Sequence, residues 1–168
     1  MSVFVGRDGS ISLFRVGTLI AIVGILLVVG GVAAYFLDQN SFRTPLDVDP
    51  YPSAQPWGMV NESNVTRRSL YLVSDAQPAD VAAYYDQKLR ELDRTETGCE
   101  RIPAAGVIRG SENNPSQVPF WYTCLFQRTG FGVSQQTTIT IQPGVSNEDP
   151  DQNTEGMVVI EHSQRWQP

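Results

Sequence analysis

Residues 16–37 read VGTLIAIVGILLVVGGVAAYFL, an unbroken apolar run of twenty-two positions with no charge. At about 1.5 Å per residue such a helix is ~33 Å long, enough to cross the hydrocarbon core of a bilayer. The run is longer than the roughly 7–15 apolar residues of a signal peptide, so a retained transmembrane helix over 16–37 is expected. Elsewhere the apolar positions follow shorter periods. Val81, Tyr85, Leu89 and Leu92 recur at helical spacing with Tyr84 alongside, while Lys88, Arg90, Glu91 and Arg94 take the other side. Asp75 or Gln77 is placed to cap this helix, Pro78 suits its first turn, and Asp80 complements its N-terminal dipole.

Strands are expected at Ser69–Val73, Cys99–Ile102, Val118–Gln127, Thr137–Gln142 and Met157–His162. In VPFWYTCLFQ the alternation puts Phe120, Tyr122, Cys124 and Phe126 on one face, with Trp121, Thr123 and Leu125 on the other. The order is β-α-β-β-β-β. The fold class that follows is α+β, with one N-terminal transmembrane helix and then a small extracytoplasmic domain at 67–168, an antiparallel sheet carrying one packed helix. Residues 38–66 hold Pro45, Pro50, Pro52 and Pro56 among aspartates, and read as a Pro/Asp-rich linker. Trp57 and Tyr51 in that linker lie on their own domain or on a partner. Residues 1–15 form a cytoplasmic segment in which Asp8-Gly9 suits a hairpin turn between 3–5 and 11–14, or else a free tail. The Asn61-Glu62-Ser63 and Asn64-Val65-Thr66 triplets match a glycosylation pattern that short sequences often meet by chance.

Charge sets orientation. Arg7 and Arg15 with Asp8 precede the run, whereas Asp38, Arg43, Asp47 and Asp49 follow it. The positive-inside bias therefore places the N-terminus in the cytoplasm and the C-terminal domain outside a bacterial inner membrane. Gly17, Gly24 and Gly31 recur every seven residues, with Ala21 on the same stripe. Together they form a helix-packing face of the kind that lets another membrane helix approach closely. No ionisable residue interrupts the run, which argues against an ion path or haem ligand within it. The chain carries a formal charge of −6 and no basic stripe, so no nucleic-acid partner is expected.

Candidate chemistry is sparse. Cys99 and Cys124 lie on neighbouring expected strands on the oxidising side and are expected to form a disulfide; free thiols or metal ligands are the alternatives. His162 is the only histidine, and no CxxC or CxxCH is present, which removes covalent c-type haem and leaves too few ligands for a zinc or iron–sulfur site. Asp149, Asp151, Asn153 and Glu155 resemble the first half of a calcium loop, but Thr154 replaces its turn glycine and Ile160 its bidentate glutamate. This stretch is read as a solvated loop. No catalytic site, cofactor, metal or small-molecule substrate is expected. The face carrying Trp121, Leu125, Leu70, Leu72, Val158 and Ile160 is expected to be apolar and beyond the reach of one helix, which makes Trp57, Trp121 and Leu125 a candidate partner surface.

The stretch Asp75-Ala-Gln-Pro78-Ala-Asp80-Val-Ala-Ala-Tyr84-Tyr85, with Leu89 following, resembles a capped-helix module of bacterial envelope proteins. The resemblance covers about Ser69 to Cys99 and implies an α+β extracytoplasmic domain with no particular ligand. A single span followed by such a domain is also similar in layout to accessory subunits of redox complexes in filamentous phototrophic bacteria, alternative complex III in particular. That likeness implies a non-catalytic accessory subunit of an electron-transfer assembly, in contact with other integral membrane subunits and lipid. A free-standing anchored domain that binds a ligand or protein is the alternative reading.

Overall fold

A computed structural model describes residues 13–93, 98–130 and 133–167. The expected N-terminal hairpin falls almost wholly outside the described residues, as does Arg94. Its last two positions, Leu13 and Phe14, instead open helix α1 (Leu13–Ser41). This helix extends the apolar run by three residues at its start and four at its end. The Thr18 hydroxyl donates to the Phe14 carbonyl at 2.9 Å and the Ser41 hydroxyl to that of Asp38 at 2.6 Å, so the polar residues near its ends are satisfied locally. Its large apolar side chains, such as Ile20, Leu26, Leu27 and Phe36, are exposed.

Residues 42–168 form a separate compact unit. Six strands, β1 (Gln55–Glu62), β2 (Thr66–Val73), β3 (Glu100–Ile102), β4 (Trp121–Gly130), β5 (Val133–Pro143) and β6 (Val158–Arg165), make one antiparallel sheet in the order β1-β2-β6-β5-β4-β3. Helix α2 (Pro78–Asp93) packs over β4 and β5. The α+β class stands, with one strand more than the expected β-α-β-β-β-β order. At the start of α2, the Gln77 and Asp80 pair forms half of a capping box: the Asp80 carboxylate accepts from the Gln77 amide at 3.3 Å. Val81, Tyr85 and Leu89 are buried by this helix, but Leu92 is not, at 54% exposed. The apolar face therefore ends one turn earlier than its spacing predicts.

Segment 38–66 is not a linker. Residues 38–41 finish α1, residues 42–54 form a strap across the sheet, and β1 occupies 55–62. Phe42 and Val48 are buried, with Leu46, Tyr51 and Ala54 packed on the core. Prolines exclude a helix here, as expected, but they do not prevent an extended chain from docking when its carbonyls find donors. Gln135 Nε2 donates to Thr44 O at 2.9 Å, while Thr137 Oγ1 and Gln164 Nε2 donate to Leu46 O at 2.6 and 2.9 Å. β1 is an edge strand that tolerates Pro56 at its second position. Its register slips between Trp57, opposite Leu70, and Asn61, opposite Arg68. Gly58 adopts φ +71° at this bulge, which pushes Met59 out to 93% exposure.

Register also corrects one face. Tyr71 opposes Ile160 and Val73 opposes Val158, with all four on the helix side. Val159 and Glu161, rather than Val158 and Ile160, share the open side with Leu70 and Leu72. The β5–β6 connection closes tightly: the Gly144 amide donates to Met157 O at 2.7 Å and the Thr154 amide to Val145 O at 3.1 Å. A Cβ on Gly144 would lie 1.7 Å from the Thr154 carbonyl oxygen. Gly144→Ala is therefore expected to cost about 2 kcal/mol or more, the usual penalty of forced overpacking, read as a lowered midpoint in denaturant unfolding of the full chain.

Candidate functional site

The sheet, α2 and the strap meet at the Tyr85 hydroxyl. Tyr85 is fully buried on α2. Its oxygen accepts the Tyr51 amide of the strap at 3.0 Å and lies 2.9 Å from His162 Nε2 on β6. The hydroxyl and His162 Nε2 share one hydrogen bond, so the phenol is joined to strap and sheet at once. Rings close around this pair: Tyr84 packs edge-on against both Tyr51 and Tyr85, and Tyr71 lies 5.1 Å from His162. Burial pushes the Tyr85 phenol well above its ordinary value, so it remains a donor. Burial likewise lowers His162 to about 4, against a smaller upward pull from Asp47. His162 is buried as well, at 4% exposed.

A cavity of about 170 Å³ opens beside His162, walled by the strap at 47–50 and by Arg67, Ser69, Tyr71 and Gln164. The Arg67 guanidinium lies 3.8 Å from the exposed Asp47 carboxylate, which also accepts from Gln164 Nε2, and the Arg67 Nε is buried without a hydrogen-bond partner among the described residues. An imidazole with its Nε2 held by a phenol and its proton affinity far below neutrality is a poor general base at pH 7. The arrangement works as a joint that fixes the strap to the sheet through the helix.

The joint makes stability depend on pH. The folded chain binds a proton at His162 only near pH 4, whereas the unfolded histidine binds one near 6.5. Between those values the unfolded state holds more protons, so stability falls as pH drops from about 6.5 to 4, by on the order of 3 kcal/mol in total. Denaturation series across this window are expected to show that slope in the parent chain and to lose most of it in His162→Gln.

The second closure is covalent. Cys99 and Cys124 form a disulfide, with sulfurs 2.02 Å apart and a sequence separation of 25. Cys99 stands just before β3, and its amide donates to Asp86 Oδ1 on α2 at 3.0 Å. The Arg90 guanidinium, hydrogen-bonded to Asp86, holds that carboxyl below its ordinary value. The pairing fits an oxidising compartment. Opening a loop of this length by reduction, or by Cys99→Ser, is expected to cost about 3.5 kcal/mol in the chain-entropy treatment, measured as the shift in unfolding midpoint with and without reductant.

The other expected site residues scatter. Gly17, Gly24 and Gly31 of α1 have nothing within 4 Å of a notional Cβ, and Ala21 is exposed on the same helix. Trp57, Trp121 and Leu125 all lie on the sheet face opposite α2, as the pairing of Trp57 with Leu70 and of Cys124 with Ile139 requires. Trp57 and the β4 pair are nevertheless four strands apart, roughly 19 Å at ~4.8 Å per strand. Thr138, Thr140, Gln142 and Glu161 lie between them, so this face is mixed and not the expected apolar sheet. In the β5–β6 loop, Asp149 and Asn153 accept the Asp151 and Glu155 amides at 3.0 and 3.1 Å, which are loop-internal turns. Among the described residues no three His, Cys, Asp or Glu side chains gather as metal ligands.

Sequence reasoning passed over Arg68 and Glu161. Arg68 and Glu161 pair in bidentate fashion at 2.6 and 2.8 Å on the open face, yet they stand 93 positions apart and no local pattern links them. No protein-family model matches the chain, and comparison with curated proteins and with solved structures finds no match.

Proposed function

We propose that the chain is a single-pass membrane protein, N-terminus in the cytoplasm and disulfide-bonded domain outside, that serves as a non-catalytic accessory subunit of a larger membrane assembly. The observation that carries this reading is α1. Its segment Val16–Ser41 is long and apolar enough to span a bilayer, and its large apolar side chains are exposed. An apolar surface of this size needs lipid or protein cover. The glycine stripe, open along its length, favours close approach of a second helix. The sole histidine is committed to holding the fold together. The likeness in layout to redox-complex accessory subunits supports an electron-transfer class for the assembly. A free-standing anchored binding domain is the second reading, favoured by the grooves around Trp57 on the open sheet face.

Solubilisation of native membranes in mild detergent, followed by size separation and mass spectrometry, tests the proposal. The chain is expected to retain residues 16–41 and to migrate with a stoichiometric set of integral membrane subunits. Gly24→Leu is expected to weaken that association by about tenfold, the effect of losing ~1.4 kcal/mol of packing. Migration alone, or loss of the N-terminal run from the mature protein, would overturn the reading.

A further inference from the structure

Trp57 stands between two grooves on the sheet face that α2 leaves open. One, of about 160 Å³, is formed with Arg68, Leu70, Thr140, Gln142 and Glu161. The other, of about 320 Å³, is formed with Pro56, Leu72, Ser74 and Met157. Trp57 lines both, so the two grooves meet at this residue. Val159, only 4% exposed, forms part of the floor of the first groove.

The polar lining is specific in kind. Arg68 and Glu161 hold each other rigidly through two hydrogen bonds. The pair still leaves N–H groups of the guanidinium and lone pairs of the carboxylate available to a ligand. Thr140 adds a hydroxyl and Gln142 an amide. Among the described residues, the charged side chains that register places on this face are Arg68 and Arg165 against Glu100 and Glu161. The face is therefore neutral in a chain whose formal charge is −6. A polyanion would be repelled by the whole molecule, and a polycation would be drawn towards the acidic β5–β6 loop instead. A neutral chain rich in hydroxyls matches both the absence of charge and the mixture of donors and acceptors around an indole.

We propose that these grooves bind a neutral glycan, with the C–H face of one pyranose on the Trp57 indole and its hydroxyls on Arg68, Glu161, Thr140 and Gln142. Indole faces favour flat apolar surfaces with polar rims, and a pyranose ring presents both. Trp121, on the same face four strand spacings or roughly 19 Å away, provides a second plate for a longer chain. The assignment does not depend on whether α1 packs against another subunit.

The test uses the full chain in lipid nanodiscs, free of glycoside detergents, titrated with cellohexaose and with chitohexaose by calorimetry and tryptophan fluorescence. Saturable binding of at least one hexasaccharide is expected, weakened about tenfold or more by Trp57→Ala. Thr140→Val, nearly equal in volume, should weaken it several-fold without moving the unfolding midpoint, which separates lost contact from lost fold. Silence from both hexasaccharides at millimolar concentration would overturn the proposal. So would glycan binding indifferent to both substitutions. A proline-rich peptide that binds through Trp57 where the glycans do not would give the grooves to an extended peptide instead.

Discussion

One buried hydroxyl holds the domain together. Tyr85 projects from α2 into the space between the sheet and the strap, and its oxygen must be satisfied there, because an unpaired buried polar group costs about 1–3 kcal/mol. It is satisfied twice, by an amide of the strap and by an imidazole of the sheet. Each partner is thereby fixed as well. The strap cannot shift without costing the hydroxyl a partner, and His162 resists charging because burial strips the imidazolium of water. Three segments far apart in sequence thus share one position. The ring contacts among Tyr51, Tyr71, Tyr84, Tyr85 and His162 then fill the space around a polar centre already set.

The strap is needed because of width. Six strands at ~4.8 Å make a sheet wider than the ~10 Å diameter of one helix. Helix α2 covers β4 and β5, and the β6–β2 half of that face would stand open without another layer. Residues 42–54 supply it with an unusual lining. Gln135, Thr137, His162 and Gln164 are inward-facing and buried, positions that a helix-packed sheet would normally give to Val, Ile or Leu. An extended strap has unpaired carbonyls to satisfy, so the sheet offers side-chain donors where it meets the strap and apolar side chains where it meets the helix. On the opposite flank the Cys99–Cys124 bridge fastens the short β3 side covalently. The domain is closed by hydrogen bonds at one side and by sulfur at the other.

This division explains what could be read from the chain and what could not. Helix α2 was legible because Val81, Tyr85 and Leu89 keep a regular period and Pro78 marks its start. β4 was legible through clean alternation, and the two cysteines through compartment and spacing. The strap was not, since Phe42, Leu46 and Val48 are isolated apolar residues among prolines and aspartates with no period to join them. β1 hid behind Pro56 and Gly58, and its bulge at 58–60 breaks the alternation that signals a strand. β6 was found, but one residue out of phase. Val158, Val159 and Ile160 are all apolar and all buried, so the triplet carries no phase, and the polar residues that set it, His162 and Gln164, point inward against the usual rule. Of the open face, Trp57, Trp121 and Leu125 stood out as unexplained apolar positions. The Arg68–Glu161 pair that gives the face its polarity exists only through cross-strand register.

An open sheet face flanked by an exposed edge is a hazard for edge-to-edge pairing, and both devices that limit it are visible here. The bulge in β1, with Gly58 in a left-handed conformation, interrupts the flat ladder that another strand would need. Across the face, Thr138, Thr140 and Gln142 separate the apolar flank at Leu70 and Leu72 from that at Leu125, so no continuous apolar sheet is offered to a second copy. On the glycan assignment proposed above, the same interruption would also set the selectivity of the face. Apolar groups confined to single plates such as Trp57, set among fixed neutral donors and acceptors, disfavour a greasy surface and leave room for a ligand that alternates flat apolar patches with hydroxyls. Protection against aggregation and the chemistry proposed for the grooves thus rest on the same residues.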